Sequence, residues 1–184
     1  LPVVNIMGNH DGTAIFKKYF PYPFTDTYDW SFDYGPAHFT VIDQYISLEE
    51  QTRRFGWLEN DLASSTKKWK IILLHEPGWS AGPHPNNETV QNLIQPLAER
   101  YGVDLVIAGH NHYYARVTVQ GVTHLTTGGG GAPLYDPESG WPLVVSAIKA
   151  YHFLKISIEG EELNIEVISP TGEVLDQFTI HNKE

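Results

Sequence analysis

The chain has 184 residues, 41% hydrophobic and 18% charged, which suits one domain with a core of useful size. Its net charge of −10 and its lack of cysteine exclude disulfides and thiolate metal ligands, and no nucleic-acid-binding surface is evident, since that needs clustered Lys and Arg. No apolar run approaches the roughly 18 residues of a membrane helix, so no membrane partner is expected.

In chain order, Val3–Met7 reads as a short buried strand ending at Gly8, and Thr13–Phe20 suits one or two helical turns. Tyr28–Tyr34 alternates with an aromatic face, Gly35-Pro36 makes a turn, and Ala37–Tyr45 returns as the second strand of a hairpin. Ser47 and Glu50 have the spacing of a capping box. The helix they open runs to about Ala63 and sets Phe55, Leu58 and Leu62 on one face. Trp69–His75 is an apolar strand. Val90, Leu93, Ile94, Leu97, Ala98 and Tyr101 keep helical spacing up to a stop at Gly102, and Pro96 inside that run predicts a kink or a break. Asp104–Ala108 is a second buried strand ending at glycine. From Tyr113 onward the chain reads as all-β, with turns at Gln120-Gly121, Glu159-Gly160 and Pro170–Gly172. Alternating strands and helices followed by a β-meander predict an α/β layered fold with a mixed sheet.

Three polar clusters follow three apolar strands: Gly8-Asn9-His10-Asp11, His75, and Gly109-His110-Asn111-His112. In open α/β sheets, ligands bind beyond the carboxyl ends of the strands. Neighbouring strands would therefore bring Asn9, His10, His75, His110 and His112 to one crevice. In an extended segment, residues two apart face the same way, so both imidazoles of the His-Asn-His run could enter it. Taken singly, each cluster is an ordinary strand-end or turn sequence; the three together favour a metal site.

These residues carry a resemblance. GNHD at Gly8–Asp11, LLHEP at Leu73–Pro77 and GHNHYYAR at Gly109–Arg116 resemble, in order, the last three motifs of the calcineurin-like metallophosphoesterases, above all their purple-acid-phosphatase-like branch. The text between the motifs is similar too, so the resemblance covers nearly the whole chain. It implies a layered α/β/β/α sandwich, two metal ions drawn from Fe, Zn or Mn, and a phosphate-ester substrate. By the same resemblance Asn9, His75 and His110 bind one metal and His112 the other. His10 binds no metal; it faces the substrate and gives a proton to the leaving alkoxide or stabilises it, and His84 contacts phosphate.

One departure matters. The family opens with Asp-x-His and Gly-Asp motifs that supply the remaining ligands and a bridging carboxylate, and this sequence contains neither. The expectation is therefore that residues 1–184 form the C-terminal portion of such a domain, with a partial metal site, little activity alone and a tendency to self-associate. The alternative is a non-catalytic domain that keeps the fold and binds a metal or a partner. Gly128–Gly131 lacks the Lys-Ser/Thr of a phosphate-binding loop and reads as a tight loop near the site. Asn87-Glu88-Thr89 is a glycosylation sequon. Trp79, Tyr113, Tyr114 and Trp141 are candidate cleft aromatics, though core positions suit them better. His38, His124, His152 and His181 read as structural.

Overall fold

The computed structural model describes residues 3–24, 28–46, 48–138 and 140–182. A seven-stranded mixed sheet forms its centre. In chain order its strands are β1 (Trp30–Tyr34), β2 (Ala37–Val41), β3 (Trp69–Leu73), β4 (Leu105–Ala108), β5 (Tyr114–Val119), β6 (Val122–Thr127) and β7 (Val144–Ile148). Their spatial order is β1-β2-β3-β4-β6-β5-β7, and β2, β3, β4 and β6 run parallel. A second sheet, β8 (Phe153–Glu159), β9 (Glu162–Ile168) and β10 (Val174–His181), is an antiparallel meander.

The central strands are apolar on both faces because both faces are covered. Along β3 and β4, Ile72 and Val106 point to the helices, while Ile71 and Leu105 point to the second sheet. On the helix side, Leu58 and Leu62 of α2 (Leu48–Ser64) pack against Ile42, Ile72 and Val106, and all five are fully buried or within 1% of it. On the other side Leu163, Ile165 and Val167 of β9 close the core. Helices, large sheet and small sheet thus stack in that order, the α, β and β layers of the expected sandwich.

Most expected elements are present. Thr13–Tyr19 forms the helix α1, the β1–β2 hairpin turns at Gly35, and the last three turns fall at Gly121, Gly160 and Gly172, each at positive φ. Three readings change, and a fourth is untested. Val3–Met7 is not a strand: its backbone lies outside both sheets, and Val3 and Val4 are exposed. The segment containing Pro96 opens with a π-helical turn, Val90–Ile94, before α3 (Gln95–Arg100). The Gln95 N–H donates to the Val90 carbonyl, five residues back, and the wider turn rotates Leu93 outward to 41% exposure. Part of the expected C-terminal meander belongs to the large sheet, where β6 pairs in parallel with β4. The Ser47 cap lies outside the described residues.

Candidate metal centre

Every piece of the site sits where the parallel strands end. The β3–β4 ladder continues past its last residues: the Leu74 N–H donates to the Ile107 carbonyl (3.1 Å) and the Gly109 N–H to the His75 carbonyl (2.9 Å). That pairing sets His75 beside Gly109 and His110. The chain then bends, so His110 takes a φ of 63° and Asn111 N–H donates to the Gly109 carbonyl (2.7 Å). The His-Asn-His run is therefore a bend and not the extended segment expected from its spacing, yet both imidazoles still line one cleft.

Asn9 and His10 arrive on a tight turn. Asp11 N–H donates to the Gly8 carbonyl (3.0 Å), and the Asp11 carboxylate accepts from Gly8 N–H (2.8 Å). Gly8 is required at this point because a Cβ would come within 2.8 Å of the His75 ring. The turn puts the Asn9 Oδ1 3.0 Å from His75 Nε2, while His110 Nδ1 lies 3.2 Å from the same nitrogen. Donor atoms that share a cation at about 2.0–2.2 Å stand roughly 2.8–3.6 Å apart in octahedral or tetrahedral geometry. Both distances fall in that range, so His75 is spaced from Asn9 and from His110 as two ligands of one cation would be. No three His, Asp or Glu side chains cluster as a cation site among the described residues; the trio exists only with Asn9 counted.

The cleft encloses about 560 Å³, and Asn9, His10, His75, His84, His110 and His112 all border it. His112 Nδ1 donates to the Pro133 carbonyl (2.9 Å), so the proton sits on Nδ1 and Nε2 keeps its lone pair. His84 packs its ring 4.3 Å from His110. Its loop is tied down by the buried Asn111, whose Nδ2 donates to Ser80 Oγ (3.1 Å) and whose Oδ1 accepts from His84 N–H (3.4 Å). The glycine loop passes close by, and a Cβ on Gly128 would fall 2.0 Å from the Asn111 carbonyl oxygen.

Burial pushes His75 down to about 4, and neighbouring His110 adds to the fall. Burial also lowers His110, helped by His84 and His112 and opposed by Glu76. Neutral imidazoles are the form that binds metal. Glu76 is fixed by the Tyr45 hydroxyl and by Asn87 Nδ2, both at 2.9 Å, so the sequon amide is already engaged. Gln44 Oε1 accepts from His75 N–H (2.8 Å), and its Nε2 donates to the Glu76 carbonyl (3.0 Å), which fixes the main chain under the site.

Of the candidate aromatics, Tyr113 and Tyr114 are fully buried, Trp79 packs on His124, and Trp141 packs beside Tyr113. The aromatic residue in the cleft is instead Tyr135, which no sequence period or motif singles out.

Residues 1–114 match the family model described as calcineurin-like phosphoesterase. Purple acid phosphatase 4 of Arabidopsis thaliana is 29% identical over 172 residues, covering 91% of this chain and 48% of that protein. The structure of a purple acid phosphatase from yellow lupin seeds superposes with a TM-score of 0.71 at 24% identity, covering 85% of this chain and 33% of that one. A Plasmodium protein described as the anchor in the inner membrane complex has the same fold, with a TM-score of 0.71 at 17% identity, covering 85% of this chain and 54% of that one. The chain spans from a quarter to about half the length of the first curated relatives it matches. Sheet order, motifs and family match agree: the chain belongs to the calcineurin-like phosphoesterase family and sides with its purple-acid-phosphatase branch.

Proposed function

We propose that this chain carries the histidine-rich half of a two-metal phosphate-ester hydrolase site. The observation that supports it most is that Asn9 Oδ1 and His110 Nδ1 stand 3.0 and 3.2 Å from the same atom, His75 Nε2. Asn9, His75 and His110 would hold one metal and His112 the other, with Fe, Zn or Mn as the ions. Bound there, such metals would lower the pKa of a water and clamp phosphoryl oxygens. The chain's own residues supply the rest. His10, at the tip of the Gly8–Asp11 turn, gives a proton to the departing alkoxide, a contribution typically worth about 10²–10⁴-fold. His84, packed beside His110, reaches the phosphate. The carboxylates of Asp-x-His and Gly-Asp motifs would complete the ligand set, and the 184 residues act as the C-terminal portion of the domain. On this reading residues 1–184 alone bind metal weakly and have little activity. The outer edges of β1 and β7, with exposed Tyr34 and Val145, favour self-association.

Hydrolysis of a panel of mono- and diesters by the full-length protein, with metal content measured on the same samples, tests the proposal. Metal-dependent turnover is expected; a metal-loaded protein inert to every ester overturns it. A second reading, a binding domain on the same fold, draws support from the lack, among the described residues, of a His, Asp and Glu cluster that could hold a metal, and from the anchor protein of the same fold. A full-length polypeptide lacking Asp-x-His and Gly-Asp motifs would favour that second reading.

A further inference from the structure

Tyr135 sits between two imidazoles that come from different loops. Its ring stacks on His112 with centroids 4.3 Å apart and planes 17° from parallel. Its edge meets His84 at 5.5 Å and 62°. Its backbone N–H donates to the His112 carbonyl (3.0 Å), and two residues earlier the Pro133 carbonyl accepts from His112 Nδ1 (2.9 Å). The short segment Pro133–Tyr135 therefore grips His112 by its main chain, one ring nitrogen and one ring face. The Tyr135 hydroxyl makes no hydrogen bond among the described residues, so the contacts that involve this side chain are those of its ring.

A histidine ligand works when its other nitrogen is held by an acceptor that fixes tautomer and ring angle, and loss of such support typically costs about 10–100-fold in metal affinity or activity. The Pro133 carbonyl favours the Nδ1–H tautomer, but a single hydrogen bond lets the ring rock off its acceptor, and once that bond opens the proton can move to Nε2. A flat aromatic face 4.3 Å away removes that freedom. Facing His84 as well, the same ring sets the separation between the nitrogen that would take the second metal and the group that would meet phosphate.

We propose that Tyr135 is a positioning residue of this centre, holding His112 with Nδ1 protonated and Nε2 available, and aligning His84 opposite it through its ring and not its hydroxyl. The proposal rests on the reading of His112 as a metal ligand, and its test begins without metal. Long-range ¹H–¹⁵N spectra of histidine-labelled, metal-free protein report each imidazole tautomer directly. Wild type and Tyr135→Phe should show His112 as a single Nδ1–H tautomer, and Tyr135→Ala should show a mixture. His38, on β2 and bonded to Asp33 and Asp61, serves as the folding control and should keep its signals in all three. In full-length protein, Tyr135→Phe should retain metal affinity within about threefold, while Tyr135→Ala loses about 10–100-fold for the weaker of two Zn²⁺ equivalents. A pure His112 tautomer in Tyr135→Ala overturns the proposal. So does equal damage from Phe and Ala, which would assign the hydroxyl to a direct contact. If the full-length protein hydrolyses no phosphate ester while the tautomer result holds, the catalytic reading fails and the positioning role stands.

Discussion

At the scale of single residues, the site separates side chains that hold a cation from one that does not. His110 meets His75 and Asn9, whereas His10 stands on the turn tip with no hydrogen bond to that trio among the described residues. In the full-length protein, His10→Ala should therefore lower turnover by about 10²–10⁴-fold with metal content nearly intact. His110→Ala should lose metal along with activity. Metal analysis of the two purified variants checks the contrast, and equal metal loss would refute the division of roles. The glycine loop gives a second residue-scale test. A methyl on Gly128 would stand 2.0 Å from the carbonyl oxygen of Asn111, a backbone atom that cannot swing aside. Gly128→Ala should cost at least about 1–3 kcal/mol in denaturant unfolding. Gly130→Ala, whose added methyl meets nothing within 4 Å, should cost far less.

At the scale of elements, helix α2 is anchored to the sheet by more than its apolar face. Arg54 Nε donates to Asp29 Oδ2 (2.9 Å), Asp29 also accepts from Asp43 N–H (2.9 Å), and both side chains are at most 1% exposed. Removing one partner of a buried ion pair costs about 3–5 kcal/mol, because the other charge stays buried. Arg54→Met should destabilise by that order, and a midpoint shift worth under about 1 kcal/mol would show that the pair is not buried as described. Sequence periodicity revealed where α2 lies, since Leu58 and Leu62 repeat at helical spacing, but it carried no sign of this pair: Arg54 and Asp29 are 25 residues apart and obey no local rule. The same limit explains the other differences. Val3–Met7 is as apolar as a strand, yet strand formation needs a neighbour that a single-strand pattern cannot supply. The π-turn before Pro96 shifts the phase of its helix by a fraction of a residue, enough to expose Leu93. That Asn9, His10, His75, His110 and His112 would border one cleft was legible because the motifs bearing them are short and local; His84 lies outside those motifs, and only the family resemblance pointed to it. Tyr135 was not legible, because its place depends on how the loop after Gly131 folds back to His112.

At the scale of the whole molecule, buried histidines should make stability depend on pH in two opposite ways. His38 bonds Asp61 through Nε2 (3.0 Å) and Asp33 through Nδ1 (2.8 Å). The bond to Asp61 raises its pKa above the usual 6.5, with burial opposing and Asp33 assisting. Burial pulls Asp61 upward, but hydrogen bonds from His38, Ser31 and Thr40 carry it below the ordinary carboxylate value. A raised histidine stabilises fully below pH 6.5 and loses that contribution as pH climbs through its folded pKa. The lowered Asp61 contributes fully above about pH 3.8 and fades as pH falls through its folded value. His124 behaves in the opposite sense to His38. It is buried on β6, donates from Nε2 to Gln95 Oε1 (2.7 Å), and burial pushes it down to about 3. Above pH 6.5 it is neutral folded or unfolded and has no effect on pH dependence. Below 6.5 the unfolded chain takes up a proton that the folded chain refuses, so stability should fall by up to about 1.4 kcal/mol per pH unit toward pH 3 from this one group. Metal-free protein should accordingly be most stable near pH 6–7, losing the His38 contribution above and the His124 contribution below. Urea unfolding of wild type, His38→Asn and His124→Gln at pH 4.5, 6.5 and 8.5 separates the limbs. Gln keeps a donor for Gln95 but cannot titrate, so His124→Gln should be less stable than wild type at pH 6.5 and close part of that gap at pH 4.5. His38→Asn should flatten the alkaline limb. A His124→Gln deficit that stays constant between pH 6.5 and 4.5 would mean that His124 is protonated in the folded protein, and so is not buried as a neutral ring.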